Sequence, residues 1–171
     1  MNHEPGTAEF TIASATESDV PVILDLIRGL AEYERLGHEV VATEAGLRDA
    51  LFGAGARVRA IIARAGDVPI GFALYFYNFS TFLGRAGLYL EDLFVRPEWR
   101  RHGVGRRLLH ELARRAVAEG CGRLEWSVLD WNEPAIRFYT SIGARPMDEW
   151  TVYRLTGEAL ERFASADPSA R

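Results

Sequence analysis

The sequence predicts an α/β fold: a mixed, mostly antiparallel sheet with helices on both faces. Three observations predict it. Two strand-like runs, 57–64 and 70–79, flank Gly66-Asp67, a hairpin signal. A third apolar run, Leu88 to Val95, completes an antiparallel meander and then passes through a basic, glycine-bearing turn into an amphipathic helix. Beyond that helix lies another strand-like run, Arg123 to Leu129, which is parallel to the Leu88 strand if the helix is a crossover.

At 171 residues the chain is expected to form one domain, spanning 9–164 between flexible ends at 1–8 and 165–171. Hydrophobic content of 48% and charged content of 26% fit an ordinary soluble globular protein. The net charge of −4 argues against a general nucleic-acid binder, which is usually basic overall. One cysteine, Cys121, allows neither an internal disulfide framework nor a cysteine zinc site, and no spacing of His, Cys or Asp points to a metal. No apolar run reaches membrane-span length and no secretory signal is read at the N-terminus, so a cytoplasmic location is expected. Asn78-Phe79-Ser80 is a glycosylation sequon that means little in that setting.

In chain order, Glu9 to Ala13 alternates and reads as the first strand. Ser18 or Asp19 caps a helix with Pro21 in its first turn, and Val22, Ile23, Leu26, Ile27 and Leu30 form its apolar stripe. That helix ends near Tyr33-Glu34, ahead of Gly37. Thr43 caps a short helix to about Phe52. The 70–79 strand is aromatic (Phe72, Tyr75, Phe76, Tyr77, Phe79), which fits core, a substrate channel or a dimer surface. In the Leu88 strand, strict alternation sets Glu91 on one face with Tyr89, Leu93 and Val95, and Asp92 on the other. Two adjacent carboxylates in a buried strand are costly without a partner or a job. The helix from about Gly105 to Glu119 has Leu108, Leu109, Leu112, Ala113, Ala116 and Val117 on one face. Glu125 and Ser127 share a face of the next strand. Asn132 caps a helix to Ile142 with Pro134 in its first turn, Met147 to Leu155 reads as a final strand, and Thr156 caps a last helix to about Ala164.

Chemistry concentrates at Arg100-Arg101-His102-Gly103-Val104-Gly105-Arg106-Arg107. Two glycines admit a ligand to the backbone, a helix N-terminus offers free N–H groups, and four arginines add charge: a pyrophosphate site. It is not a P-loop, because no Gly-Lys-Ser/Thr follows. It is not a dinucleotide fingerprint either, because Leu108 stands where the third glycine belongs.

What remains, Arg-x-x-Gly-x-Gly between strand and helix, resembles the acetyl-CoA-binding motif of the GNAT superfamily of N-acyltransferases. Trp131-Asn132-Glu133-Pro134-Ala135-Ile136-Arg137-Phe138-Tyr139, followed by Gly143-Ala144, resembles that superfamily's second cofactor motif. LYLEDLFV together with DWNEPAIRFY is similar to the diamine (spermidine/spermine) and thialysine acetyltransferases. The resemblance implies a single-domain GNAT fold in which the strands Leu88–Val95 and Arg123–Leu129 splay apart. It implies acetyl-CoA as co-substrate, held by Leu93, Phe94, Val95, Arg100, Arg101, His102, Gly103, Val104, Gly105, Arg106, Asn132, Glu133, Pro134, Ala135 and Tyr139. It also implies a homodimer and a small-molecule amine substrate, with neither nucleic acid nor membrane as partner.

An alkyl ammonium has a pKa near that of lysine, about 10, so the site must bind a cation and take its proton before transfer. Glu91 is the candidate for both, directly or through a water. Tyr33, Glu34, Asp92, Glu125, Ser127 and Asp148 are candidates for the rest of the substrate pocket. In the family a Tyr-Glu at the place of Tyr33-Glu34 contacts substrate; without that resemblance a solvated helix end is the favoured reading. The N–H of Leu93 or Phe94 is the candidate oxyanion donor, and Tyr139 is the candidate general acid for the leaving thiolate. The chain departs from the polyamine enzymes between Gly143 and Trp150, where it is short and contains Pro146. Asp148 or Glu149 stands in for their acidic contacts, which leaves short diamines and lysine analogues open. The preferred reading is acetylation of a small primary amine. A peptide or aminoglycoside acetyltransferase and a noncatalytic acyl-CoA sensor are the alternatives.

Overall fold

In a computed structural model of the chain, residues 9–166 are described. Of the ends expected at 1–8 and 165–171, residues 1–8 and 167–171 lie outside them, and Ser165 closes the last helix. The chain divides into two compact units, Met1–Ser127 and Val128–Arg171.

The first unit holds a five-stranded sheet in the order β1 (Thr11–Ser14), β2 (Arg59–Ala65), β3 (Val68–Ser80), β4 (Arg85–Val95), β5 (Leu124–Trp126). Every neighbouring pair is antiparallel except β4 and β5, which are parallel. Between β1 and β2 run α1 (Val20–Tyr33) and α2 (Glu44–Phe52); α3 (Val104–Ala118) crosses from β4 to β5. Pro21 sits in the first turn of α1 as expected, and Thr43 caps α2 by accepting a hydrogen bond from Gly46 N at 3.2 Å. Asp19 does its work with the side chain elsewhere: Oδ2 accepts from Thr16 N at 2.8 Å, and Oδ1 pairs with Arg64 of β2 at 2.6 Å.

The sheet buries both faces. On one, Ile23 and Leu26 of α1 and Leu51 of α2 pack on Ala60, Ile62, Phe72, Leu74 and Phe94. On the other, α3 buries Val104, Leu108, Leu109, Leu112 and Ala116. Each large side chain so buried contributes roughly 1.5–3 kcal/mol. The aromatic residues of β3 divide: Phe72 and Tyr75 are core, Phe76 and Tyr77 are half-buried, and Phe79 is exposed. Tyr75 also carries a polar link, accepting from Arg115 Nη1 of α3 at 2.9 Å.

Three expectations change. First, β4 contains a bulge. Leu74 pairs with Asp92 and Tyr75 with Leu90, so Glu91 has no residue opposite it. The extra residue inverts the alternation. Asp92 and Phe94 lie on the α1 face, opposite Leu74 and Phe72, and Tyr89 lies on that same face opposite Phe76. Leu93 and Val95 are thus not face-mates of Tyr89. Second, the strand expected over Arg123–Leu129 is only three residues long, ending at Trp126. Third, the expected strand over Met147–Leu155 is absent. That stretch is irregular, and Met147, Trp150, Val152 and Tyr153 are exposed. Alternating apolar residues qualify a segment for a sheet, but a strand exists only where an edge pairs with it, and none does here among the described residues.

The second unit contains α4 (Glu133–Ser141) and α5 (Gly157–Ser165). Asn132 caps α4 by accepting from Ala135 N at 3.4 Å, with Pro134 in the first turn. Thr156 is the N-cap of α5, without a side-chain hydrogen bond.

Candidate active site

The outer edge of β4 sets the geometry. Its pairing with β5 covers only Leu88, Tyr89 and Leu90, so among the described residues no strand flanks β4 from Glu91 to Val95. On its inner side, Arg96 N donates to Ile70 O at 2.9 Å. Hydrogen-bonded pairs alternate in an antiparallel ladder, which assigns Phe94 to β3 as well, opposite Phe72. The backbone groups of Leu93 and Val95 therefore face the open edge. Of the two oxyanion donors considered, Phe94 N–H is committed to the ladder and Leu93 N–H is directed outward. Phe94 contributes a buried side chain instead.

Past β4 the chain turns sharply. Arg101 and Gly103 both adopt left-handed backbone, with φ of 66° and 78°. Gly103 is the N-cap of α3, which begins at Val104, one residue earlier than expected. Val104 offers a ligand its N–H alone, because its side chain is in the core. A Cβ on Gly105 would meet nothing closer than Val95 Cγ2 at 3.7 Å, so internal packing does not demand a glycine there. The free N–H groups of α3, its dipole and that spare room form a cradle for a phosphate. Arg101, His102 and Arg106 are exposed along it. Arg100 is used differently: its Nε donates to Val95 O at 3.2 Å, and its guanidinium lies 4.4 Å from the centre of the Tyr33 ring. That contact ties the end of α1 to the turn.

Beside the open edge is an acidic group. The helix α1 ends at Tyr33, with Glu34 as its C-cap. Burial, together with the nearby carboxylates of Glu91 and Glu34, pushes the Asp92 carboxyl up to about 6. Burial also raises Glu34. Glu91, on the bulge, is exposed. Three acids thus converge without an arginine or lysine ion pair to any of them among the described residues. Such a group holds a cation readily, because a positive charge removes the mutual repulsion.

The other candidates divide. Glu125 lies opposite Tyr89 across the parallel pair, on the same face as Asp92, but it already accepts from Asn78 Nδ2 at 3.0 Å and pairs with Arg123 at 2.9 Å. Ser127 Oγ is 2.8 Å from Tyr89 Oη. In the second unit, Tyr139 is half-buried on α4, its ring 5.4 Å from that of Phe138. Glu133 pairs with Arg137 at 3.0 Å, and Asp148 is exposed on the irregular stretch after α4. The sequence places Phe76 in an aromatic strand without assigning it to the site and gives Asn78 and Arg123 no site role, although all three adjoin Glu125 or Tyr89. Only cross-strand register reveals them, and no local pattern encodes it. No group of three or more His, Cys, Asp or Glu side chains is arranged to hold a metal among the described residues.

Residues 26–144 match the model of the acetyltransferase (GNAT) family. This chain belongs to the GNAT acetyltransferases. As a GNAT enzyme it is an acyltransferase, and the family transfers acetyl groups from acetyl-CoA to amines. It is 36% identical to the L-ornithine N5-acetyltransferase of Arabidopsis thaliana, over 88% of this chain and 86% of that protein. It is also 36% identical to the thialysine N-epsilon-acetyltransferase of Sus scrofa, over 92% and 98% respectively. Among solved structures, an integron cassette protein of V. cholerae superposes with a TM-score of 0.78 at 30% identity, covering 92% of this GNAT chain and 98% of that one. The residues present fit acetyl-CoA: a helix N-terminus with room at Gly105 for phosphate, and the outward backbone groups of Leu93 and the N–H of Val95, whose carbonyl already accepts from Arg100, for an amide-bearing arm.

Proposed function

We propose that this acetyltransferase acts on the primary amine of a small cation, of the size of a diamine, ornithine or a lysine analogue. The observation that carries this reading is the unpaired acidic group of Asp92, Glu34 and Glu91 beside the open edge of β4. An ammonium ion bound there lies next to the stretch of β4 whose outer edge no strand covers among the described residues.

The roles follow from the chemistry. Asp92 and Glu34 bind the ammonium. Glu91, exposed on the bulge, takes its proton, directly or through a water, and passes it to solvent. Acetyl-CoA supplies the activated acyl group as a thioester. Leu93 N–H is the donor assigned to the acyl oxygen. Tyr139 is assigned as the acid that protonates the departing thiolate, on the strength of its place in the second cofactor motif. The amide of Val104, with Arg101, His102 and Arg106, holds the pyrophosphate; Asn132 to Ala135 are assigned to the cofactor on the strength of the second cofactor motif alone. The reading includes a homodimer in the cytoplasm. Sedimentation as a monomer at micromolar concentration would remove the dimer.

The test is thiol release from acetyl-CoA with spermidine, putrescine, lysine, ornithine, thialysine, an aminoglycoside and a short peptide. Turnover with small amines is expected. Turnover confined to the peptide or the aminoglycoside would overturn the substrate class. Acetyl-CoA binding without any turnover would favour a sensor. Tyr139→Phe leaving turnover unchanged would remove the acid assignment, and Glu91→Gln leaving the pH profile unchanged would remove the base.

A further inference from the structure

At the far end of the same sheet face, Arg123 and Glu125 form an ion pair, with Nε 2.9 Å from Oε2. The pair is not sealed: Arg123 keeps 36% and Glu125 32% of its side-chain exposure. Arg123 Nε is buried against Glu125 Oε2, so the exposed part of the side chain is the rest of the guanidinium, and Asn78 Oδ1 beside it is buried without a hydrogen-bond partner. The arrangement depends on Gly87, opposite Asn78 on β4. A Cβ there would run into Asn78 Oδ1 and come within 3.0 Å of Arg123 Cγ and Nε. Between this pair and the acidic group lies an aromatic floor, Phe76 against Tyr89 with ring centres 5.1 Å apart. The Tyr89–Ser127 hydroxyl contact borders it.

We propose that the Arg123–Glu125 pair is the subsite for the α-amino-acid head of the substrate, and so selects zwitterionic amino acids over plain diamines. The inference rests on the reading above, in which the reacting amine binds at Asp92. Charge decides the class. A second ammonium, as in a diamine, meets an acid already neutralised by arginine and gains little. A zwitterion meets a complementary pair: its carboxylate faces the Arg123 guanidinium, and its α-ammonium faces Glu125.

Spacing agrees. Asp92 stands opposite Leu74, while Tyr89 and Glu125 stand at the level of Phe76, two residues along β3. That is about 7 Å along the strands. The five bonds from the side-chain nitrogen of lysine to its α-carbon span about 6 Å when extended. The hydrocarbon arm then lies over Phe76 and Tyr89.

Matched substrates test this without disturbing the fold. Lysine and cadaverine, like ornithine and putrescine, differ by the carboxylate. Wild-type kcat/KM is expected to favour the amino acid at least tenfold, and Nα-acetyl-lysine and lysine methyl ester, each lacking half of the head, are expected to lose most of that preference. Arg123→Gln is expected to lower kcat/KM for lysine about tenfold through KM while changing cadaverine less than twofold, with Arg123→Lys retaining part of the preference. A wild type that treats lysine and cadaverine alike overturns the subsite. So does Arg123→Gln acting equally on both, which marks a structural ion pair. Failure of the underlying reading looks different: no amine in either series releases thiol.

Discussion

Asp92 shows how one inserted residue reassigns chemistry. The bulge at Glu91 turns Asp92 into the half-buried face beside Glu34, where its carboxyl is raised to about 6. An acid whose folded-state pKa exceeds its unfolded value, about 3.9, binds protons more tightly when folded. Stability therefore falls as pH rises from about 4 through about 6, and the penalty is fully present above that. Asp92→Asn is expected to stabilise the protein at pH 8 by about 2 kcal/mol and to make no difference at pH 3.5. Urea unfolding at the two pH values measures this. The same variant is expected to raise the amine KM by tenfold or more. A stabilised variant with unchanged KM would leave Asp92 outside the substrate site. The adjacency of the two acids is plain in the sequence, but the face each occupies is not, because a bulge has no local signature in this stretch.

At the level of elements, the β4–turn–α3 unit separates internal from external demands on its glycines. Gly103 needs its left-handed backbone, and a side chain there is strained by about 1 kcal/mol. Gly105 has no such need: it lacks a positive φ and its Cβ position is open. Gly105→Ala is therefore expected to leave thermal stability unchanged or slightly higher, since alanine is the better helix former by about 1 kcal/mol in a helix interior. It is also expected to weaken acetyl-CoA binding by tenfold or more. Calorimetric titration beside a melting curve separates the two effects. If affinity is retained, the cofactor phosphates do not approach that backbone. Elsewhere in α3, Leu112 is fully buried against the sheet. Leu112→Ala is expected to cost about 2–5 kcal/mol in urea unfolding. The strand–turn–helix order, the caps at Thr43 and Asn132 and the α3 stripe were legible, because each is written within a few consecutive residues; Val117, expected on that stripe, is instead exposed at the end of the helix. The strand expected at Met147–Leu155 was not legible, because its existence depends on an edge elsewhere.

For the molecule as a whole, cofactor binding and stability are linked. Acetyl-CoA at one hundred times its Kd adds about 2.7 kcal/mol to stability, or roughly 5–10 °C in Tm for a chain of this size. Desulfo-CoA is expected to give much of that shift, since in the proposed site the phosphates meet the start of α3 and the pantetheine arm the open edge of β4; no shift with either compound would contradict the cofactor site. No helix among the described residues is long and apolar enough to cross a membrane. By itself, the sequence determined the element order of the first unit, the basic glycine-bearing turn before α3, the family and the two neighbouring acids. These are local facts, fixed by periodicity, by glycine and proline, and by motifs that each occupy one short stretch. Only the tertiary structure decided that β4 is bulged, that β5 stops at Trp126 and leaves Leu93 and Val95 at an open edge, and that Asn78, Arg123 and Glu125 meet over Gly87. Those facts rest on register between strands up to 47 residues apart, as between Asn78 and Glu125. Cross-strand pairing is settled by the packing of the whole sheet and is not encoded in any one segment.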